Sequence, residues 1–167
     1  MNSLTPHRRL ANPTVLDTIG YMVQFAKQGA KDLDIRRLVE KICAKLEPGD
    51  YSSEILACYY FVDANIRYMR DIDNVEFLKW PKQVLQTRAG DCDDIATLLA
   101  AMLISCGNKV RFCIVDIDRS GPINFSHVFC QVFVPTEGRW TTVDPVAGKE
   151  NIDMHNRVRS AKTFMVR

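Results

Sequence analysis

A cysteine stands among acidic residues where a helix is predicted to begin. Residues 90–94 read GDCDD, and the apolar pattern IATLLAAMLISCG follows them. A thiol is a weak nucleophile until it loses its proton. A helix N-terminus lowers the thiol pKa from its free value of about 8.5, because unpaired N–H groups and the positive dipole end favour the thiolate. Cys92 is therefore the candidate nucleophile. Its neighbours Asp91, Asp93 and Asp94 oppose thiolate formation, so a cationic partner must offset them.

A histidine is the expected partner, and the chain has three. His127 opens the strand pattern HVFCQVFV, and a helix N-terminus packed on that strand would let the imidazole take the thiol proton. Asp144 ends the next strand pattern, after the turn at residues 136–139, so a hairpin would place its carboxylate beside the imidazole to orient it. His7 is expected in a tail. His155 lies in a polar region without a clear pattern and is the next candidate base.

Each member of this set also has a structural interpretation. A cysteine at a helix start, a partly buried strand histidine and an aspartate before proline all occur commonly without a catalytic role. A helix start, a strand start and an adjacent strand end would bring the three side chains together. That joint geometry favours a catalytic role over three separate structural roles.

Helical patterns dominate the first two thirds of the chain. The first begins with Asn12 as N-cap and Pro13 at the first helical position, and it ends at Gly29. Two more cover residues 32–49 and 52–68, a short one runs from 81 to 86, and the last runs from Cys92 to Ser105 or Cys106. The predicted buried stripes of the first three helices are Val15, Ile19, Met22, Val23 and Ala26; Leu33, Leu38, Ile42 and Leu46; and Ile55, Leu56, Tyr59, Val62 and Ile66.

Strand patterns follow the last helix. The segments KVRFCIVDI, SHVFCQVFVP, RWTTVDP and KTFMVR are rich in β-branched and aromatic residues and are bounded by polar turns. The segment from Met69 to Lys79 is expected to be irregular. Helices followed by strands predict an α+β fold, with the catalytic helix packed on an antiparallel sheet.

The bulk numbers favour an ordinary globular protein. A length of 167 residues predicts one domain, with a helical part at 1–65 and a catalytic core at 66–167. The net charge of +2 gives no case for nucleic acid, and no apolar run approaches the roughly 20 residues that span a bilayer. No secretory signal is visible, so a cytoplasmic location is expected. The basic stretches HRR and RVRSAK are interpreted as solvated surface.

The six cysteines are widely scattered and form no CxxC pair, so neither disulfides nor a structural zinc site is expected. Five of them lie inside apolar patterns and are interpreted as small buried residues. No cofactor and no metal is expected.

Three segments together carry a family resemblance. RAGDCDDIATLLAAMLISCG, SHVFCQVFV and RWTTVDP resemble the transglutaminase-like superfamily, in particular its small bacterial and phage members, over roughly residues 66–146. The resemblance implies a papain-like α+β fold, with Cys92 matching the nucleophile, His127 the general base and Asp144 the orienting carboxylate. Papain-type proteases usually have Asn in the third place. Arylamine acetyltransferases share the Cys, His, Asp order but are larger.

An acyl-transfer site also needs donors for the oxyanion. The backbone N–H of Cys92 is one natural donor. Gln86 lies six residues before Cys92, a spacing that papain-like enzymes use for a side-chain donor, and Trp80 and Tyr68 are alternatives. Arg88 resembles an arginine often found before the motif, and we interpret it as structural.

The acidic residues around the cysteine have a second interpretation within the family. Some bacterial relatives with such residues bind calcium there, and Asp91, Asp93 and Asp94 offer hard oxygen ligands. Helix capping and complementarity to the helix dipole explain them without a metal, and we favour that interpretation.

The expected function is a thiol-dependent hydrolase that acts on amide or peptide bonds through a thioester, with a protein or peptide as substrate. One alternative is a non-enzymatic phage- or virion-associated protein that retains the fold and binds phage structural proteins. Another is an amine-accepting transglutaminase. Water is favoured over an amine because the catalytic part, from Cys92 to Asp144, is short and its longest loop is polar, so it offers little to shield the site.

Overall fold

A computed structural model describes residues 7–10, 14–70, 76–117, 121–147 and 158–166. The helices described are α1 (Val15–Gly29), α2 (Leu33–Cys43), α3 (Tyr51–Asn65), α4 (Pro81–Thr87) and α5 (Cys92–Ser105). The strands described are β1 (His7–Leu10), β2 (Arg67–Tyr68), β3 (Glu76–Lys79), β4 (Ala89–Gly90), β5 (Val110–Asp116), β6 (His127–Val134), β7 (Arg139–Val143) and β8 (Ser160–Met165).

The main sheet has four antiparallel strands in the order β7-β6-β5-β8. It follows the helices in the chain, so the predicted α+β arrangement is confirmed. Two small sheets were not predicted. β1 pairs with β3 antiparallel, and β2 pairs with β4 in parallel. The segment from Met69 to Lys79, predicted to be irregular, therefore contains a strand, and His7 belongs to a strand rather than to a tail.

The helix α5 lies at the centre of the core. Every residue from Asp93 to Ile104 is buried, because the helix is almost entirely apolar from Ile95 onward and is covered by the other helices and by β6. Close packing at its edge depends on Gly29, the last residue of α1. A Cβ at Gly29 would lie 2.8 Å from Cγ of Pro81 and 3.1 Å from Cβ of Ala101. The absence of a side chain there lets α1 approach both α4 and α5.

The first helix begins later than its sequence pattern predicted. Thr14 is the N-cap of α1, its hydroxyl accepts the N–H of Asp17 at 3.2 Å, and its own N–H donates to the Asp17 carboxylate at 3.0 Å. This reciprocal capping box satisfies two backbone donors and fixes the start at Val15. The predicted N-cap Asn12 and first helical residue Pro13 lie outside the described residues, before the helix begins.

The buried faces of α2 and α3 differ from the predicted stripes. In α2 the buried residues are Ile35 and Val39, whereas Leu33 is 64% exposed. In α3 Cys58 is buried, whereas Leu56 is 48% exposed. The predicted stripe of α3 is correct at Ile55, Val62 and Ile66, which are buried. In α2 the predicted residues Leu38 and Ile42 pack against the core but are only partly buried.

One basic residue expected at the solvated surface is instead engaged with the sheet. Arg159 donates from Nε and Nη2 to Oδ2 of Asp116, at 3.0 Å and 2.5 Å, and Asp116 is fully buried at the end of β5. The backbone N–H of Asn124 donates to the same oxygen at 3.1 Å. This ion pair anchors the chain just before β8. Among the described residues, no helix is long and apolar enough to cross a membrane.

Candidate active site

The thiol of Cys92 lies at the first position of α5. The N-cap is Asp91, whose carboxylate accepts the N–H of Asp94 at 3.3 Å. Burial, followed by the charges of Asp93 and Asp91, raises the pKa of the Cys92 thiol well above its usual value. Hydrogen bonds from the backbone N–H groups of Val128 and Asp93 act in the opposite direction. A lone thiolate is therefore disfavoured here, and an adjacent cation is needed to stabilise it.

His127 and Asp144 meet at one end of the main sheet. His127 is the first residue of β6, and Asp144 directly follows β7 in the hairpin. Nε2 of His127 lies 2.7 Å from Oδ2 of Asp144, and the two side chains are 2% and 5% exposed. The other carboxylate oxygen accepts the N–H groups of Val146 at 2.9 Å and Ala147 at 3.2 Å. Because the carboxylate can only accept, it favours the tautomer with the proton on Nε2 and leaves Nδ1 as the proton acceptor.

Cys92 and His127 line the same cavity, which has a volume of about 250 Å³. Its other described lining residues come from α1, from the start of α5 and from the main sheet with the loop before β6: Val15, Thr18, Ile19 and Met22; Asp91 and Asp93; Ile114, Phe125, Ser126 and Val128. The walls are mostly apolar and the polar groups gather near the thiol, as is typical of a small substrate pocket.

One wall of this cavity was missed by sequence reasoning. The face of α1 that includes Val15 and Ile19 was predicted as core only, because an amphipathic stripe looks the same whether it meets a core or a pocket. Val15 is 40% exposed, and it lines the cavity rather than the core. No motif in the first helix marks this difference.

The three acidic residues around Cys92 have different surroundings and contacts. Asp91 caps the helix. Asp94 is fully buried and forms an ion pair with Lys79, whose backbone N–H also donates to it at 2.7 Å. Burial and the charge of Asp91 raise the pKa of Asp94, and the contact with Lys79 opposes that rise. Asp93 is buried and lines the cavity. Among the described residues the ligand atoms of these three carboxylates do not all lie within 4.8 Å of one another.

Gly90 lets Asp94 reach its buried position. A Cβ at Gly90 would lie only 2.6 Å from Cβ of Asp94 and 3.0 Å from its Oδ2. The glycine pairs with Tyr68 in the two-residue sheet of β2 and β4, so the backbone before α5 is fixed from both sides. The start of the helix, and with it the thiol, is thereby held in place.

The side-chain candidates for the oxyanion donor are not among the described lining residues of this cavity. Gln86 is exposed on α4, and neither it nor Trp80 nor Tyr68 belongs to the described lining of the cavity. The Gln86 prediction therefore gains no support from this arrangement. Arg88, interpreted as structural, ends α4 in the left-handed conformation (φ 53°) and donates to Asn65 at 3.2 Å. First-turn N–H groups of a helix have no partner within it, so the start of α5 offers backbone donors. His155 lies outside the described residues.

Comparison with known proteins places this geometry in a wider context. The chain matches the family model described as the transglutaminase-like superfamily over residues 36–145. It resembles a candidate cysteine protease from Cytophaga hutchinsonii, with a TM-score of 0.57 and 18% identity, over 95% of this chain and 58% of that chain. A candidate protease from Parabacteroides distasonis ATCC 8503 gives a TM-score of 0.59 and 12% identity, over 89% of this chain and 29% of that chain. No curated protein matches the chain. The chain thus spans less than two thirds of either structure, and the likeness confirms the predicted fold.

Proposed function

The chain belongs to the transglutaminase-like superfamily, and on that premise we propose that it is a thiol-dependent hydrolase of amide or peptide bonds. One observation carries the proposal. The imidazole of His127, held by Asp144 at 2.7 Å, lines the same small cavity as a cysteine at the first position of a helix. Nucleophile, base and orienting carboxylate then have the roles that a Cys-His-Asp triad requires.

The reaction begins with a proton transfer. Because the pKa of Cys92 is raised by burial and by nearby acids, the thiolate forms together with protonation of His127 at Nδ1. The sulfur attacks the carbonyl carbon of the substrate, and the imidazolium gives its proton to the leaving amine as the C–N bond breaks. The product of this half-reaction is a thioester on Cys92. His127 then takes a proton from water, the hydroxide displaces the sulfur, and the acid product leaves with the thiol restored.

The oxyanion of each tetrahedral intermediate is stabilised by backbone donors. The N–H of Cys92 is the proposed first donor, because it belongs to the unsatisfied first turn of α5. The positive end of the helix dipole acts at the same position. This arrangement requires no side chain from α4, so substitution of Gln86 leaves the proposed chemistry intact.

The substrate is proposed to be a protein or peptide that inserts one side chain into the cavity. A volume of about 250 Å³ is smaller than the roughly 300–1,000 Å³ of typical small-molecule pockets, so it suits a single residue rather than a larger ligand. The apolar walls, among them Ile19 and Phe125, favour an apolar or weakly polar side chain. Asp91 and Asp93 at the cavity disfavour an acidic one by charge repulsion.

Water is the proposed acceptor of the acyl group. Amine transfer requires an enclosed site that delivers an amine and excludes water. Here the wall residue Val15 is 40% exposed, so the cavity beside Cys92 is open to solvent. A cytoplasmic, reducing compartment is proposed as the setting, because all six cysteines are free and the nucleophile must stay reduced.

The test uses peptide libraries with and without a labelled primary amine. We expect the wild-type protein to release cleaved or deamidated products without incorporating the amine, and Cys92→Ala to release none. Cys113→Ala is the matched control, because Cys113 is buried in β5 and does not line the cavity. Efficient amine incorporation at low amine concentration would replace hydrolysis with crosslinking. Turnover by Cys92→Ala equal to that of the wild type would show that Cys92 is not the nucleophile.

A further inference from the structure

Three cysteines that are far apart in the chain converge on the side of the core away from the cavity. Cys43 is the last residue of α2, Cys58 lies in α3, and Cys106 is the C-cap of α5. Their sulfur atoms all lie within 4.8 Å of one another, and Sγ of Cys58 is 3.9 Å from Sγ of Cys106. Within the described part of the chain, this is the one group of at least three potential metal ligands that come so close together.

We propose that this thiol cluster, defined as Cys43, Cys58 and Cys106, binds a thiophilic divalent cation of the zinc type. A tetrahedral zinc ion with Zn–S bonds of about 2.3 Å holds its thiolates about 3.8 Å apart. The separation of 3.9 Å between Cys58 and Cys106 fits that spacing. A disulfide needs an S–S distance of about 2.05 Å, roughly half the distance present, so the arrangement suits a shared cation better than a covalent bond.

Glu54 is the proposed fourth ligand. It lies four residues before Cys58 on α3, so the two side chains share one face of the helix, and it is partly buried. Its charge also acts on two of the thiols. Burial, then Cys106, and then Glu54 raise the pKa of Cys43 to about 11. Glu54 acts in the same direction on Cys106. Its carboxylate is not part of the group whose ligand atoms all lie within 4.8 Å of one another, so a rotation of the Glu54 side chain is needed to complete a four-coordinate site.

The helix ends around the cluster also favour a cation. Cys43 and Cys106 lie at the C-terminal ends of α2 and α5, where the carbonyl groups and the helix dipoles present negative charge. Neighbouring thiolates at such a position repel one another and repel both helix ends. A divalent cation bonded to the three sulfurs removes that repulsion and links α2, α3 and the C-terminal end of α5.

Binding exchanges protons for the metal and needs no oxidant. Each of the three thiols releases its proton to solvent as its sulfur binds the cation. Metal affinity should fall as the pH is lowered, because protons compete for all three sulfurs.

The cluster is distinct from the proposed catalytic thiol. The 14 residues of α5 separate Cys92 from Cys106 by about 20 Å, given a rise of 1.5 Å per residue. A cation at the cluster would stabilise the packing of α2 and α3 against the C-terminal end of α5. Its expected effect is on stability rather than on the reacting groups.

The experiment titrates reduced, metal-free protein with Co²⁺ as the spectroscopic probe and then displaces it with Zn²⁺. We expect one Co²⁺ per chain, with thiolate-to-cobalt charge-transfer absorption. Loss of a partner in the second coordination sphere already costs roughly 10–100-fold in metal affinity. The ligand variants Cys58→Ser and Cys106→Ser should therefore weaken binding by at least that factor, and Glu54→Gln should weaken it in the same direction. Cys113→Ser and Cys92→Ala should bind as the wild type does.

Two results would overturn the proposal. One is wild-type protein that shows no charge-transfer absorption with one equivalent of Co²⁺. The other is affinity that is unchanged in folded Cys58→Ser and Cys106→Ser. Circular dichroism identifies a variant that fails to fold. If buried Cys58→Ser fails, the partly exposed Cys106→Ser and the wild-type spectrum decide the question. Loss of binding in Cys92→Ala alone would assign the metal to the catalytic thiol and also overturn the proposal.

Discussion

The two ends of helix α5 each carry a cysteine, and they prepare it for different chemistry. At the N-terminal end Cys92 has backbone N–H groups around its sulfur and lines a cavity with an imidazole. At the C-terminal end the sulfur of Cys106 lies within 4.8 Å of two further thiols. The first setting raises the thiol pKa, so a thiolate forms there only when a proton acceptor lies beside it. In the second, the hydrogen bond from Cys58 lowers the pKa of Cys106, and further thiolates beside it need a cation to join them.

The comparison shows that residue type alone does not set the role of a thiol. Both cysteines belong to the same apolar helix, and both are partly buried. What differs is the sign of the helix end and the chemistry of the neighbours. His127 can accept a proton at one end, whereas Cys43 and Cys58 can only add further thiols at the other. The predictions below change one end at a time.

The largest expected effect comes from removing the proposed base, His127, at the N-terminal end of α5. His127→Ala should lower kcat by about 10²–10⁴-fold, the range that general acid–base catalysis supplies. Circular dichroism should show the fold retained. Steady-state kinetics on a cleavable peptide measures the loss, with Cys113→Ala as the control. Activity within a few-fold of the wild type in folded His127→Ala would show that the base lies elsewhere, with His155 the next candidate.

A saturating concentration of Zn²⁺ should stabilise the packing around the C-terminal end of α5, where the thiol cluster lies. With Zn²⁺ at 100 times its Kd, the free energy of unfolding should rise by about 2.7 kcal/mol, which corresponds to about 5–10 °C in Tm. Differential scanning calorimetry with and without Zn²⁺ tests this under reducing conditions. Cys58→Ser should lose the shift and Cys113→Ser should keep it. An equal rise in Tm in both variants would show that the thiol cluster is not the site of Zn²⁺ binding.

Asp144→Asn should have a smaller effect than His127→Ala. The carboxylate uses one oxygen for His127 and the other for the N–H groups of Val146 and Ala147. An amide has one oxygen, so it cannot serve both sets of donors, but the imidazole remains present to accept a proton. A loss of about 10–100-fold in kcat, part of the range for general acid–base catalysis, is expected from kinetics across pH. A loss as large as that of His127→Ala would give the aspartate more than an orienting role.

Gly90→Ala should destabilise the start of α5. The added Cβ would meet Asp94 at 2.6 Å, and overpacking of this kind typically costs about 1–3 kcal/mol. Gly20→Ala is the matched control, because nothing lies within 4 Å of a Cβ there and alanine favours the interior of α1. Urea denaturation measures both. Equal stability of Gly90→Ala and the wild type would contradict the close approach of Asp94.

The starts of α5 and β6 and the hairpin that precedes Asp144 follow local sequence signals, so the sequence predicted these elements, whereas the catalytic roles stay predictions. Cys92 begins a helix, His127 begins a strand, and a short hairpin brings Asp144 back beside His127. The opposite end depends on contacts between distant segments. Cys58 was predicted to be a small buried residue, and it is buried, but no local pattern shows that it meets Cys43 and Cys106 from other segments.

Local sequence patterns also could not predict two other features of the fold. The strand β1 pairs with β3, far along the chain, so nothing near His7 signals the pairing. The wall of the cavity from α1 depends on how that helix lies against α5 and the sheet. The assignment of residues 1–167 to one domain stays a prediction, as do the partners named from sequence.

The most direct test of the central comparison is the order in which the six thiols react. Native, reduced protein is alkylated below pH 7 with limiting reagent, and each cysteine is mapped by mass spectrometry in the wild type and in His127→Ala. We predict that Cys92 is modified first, that His127→Ala removes this preference, and that added Zn²⁺ protects Cys43 and Cys106 but not Cys92. Modification of Cys106 ahead of Cys92 in the wild type, with the Cys92 pH profile unchanged in folded His127→Ala, would contradict the account.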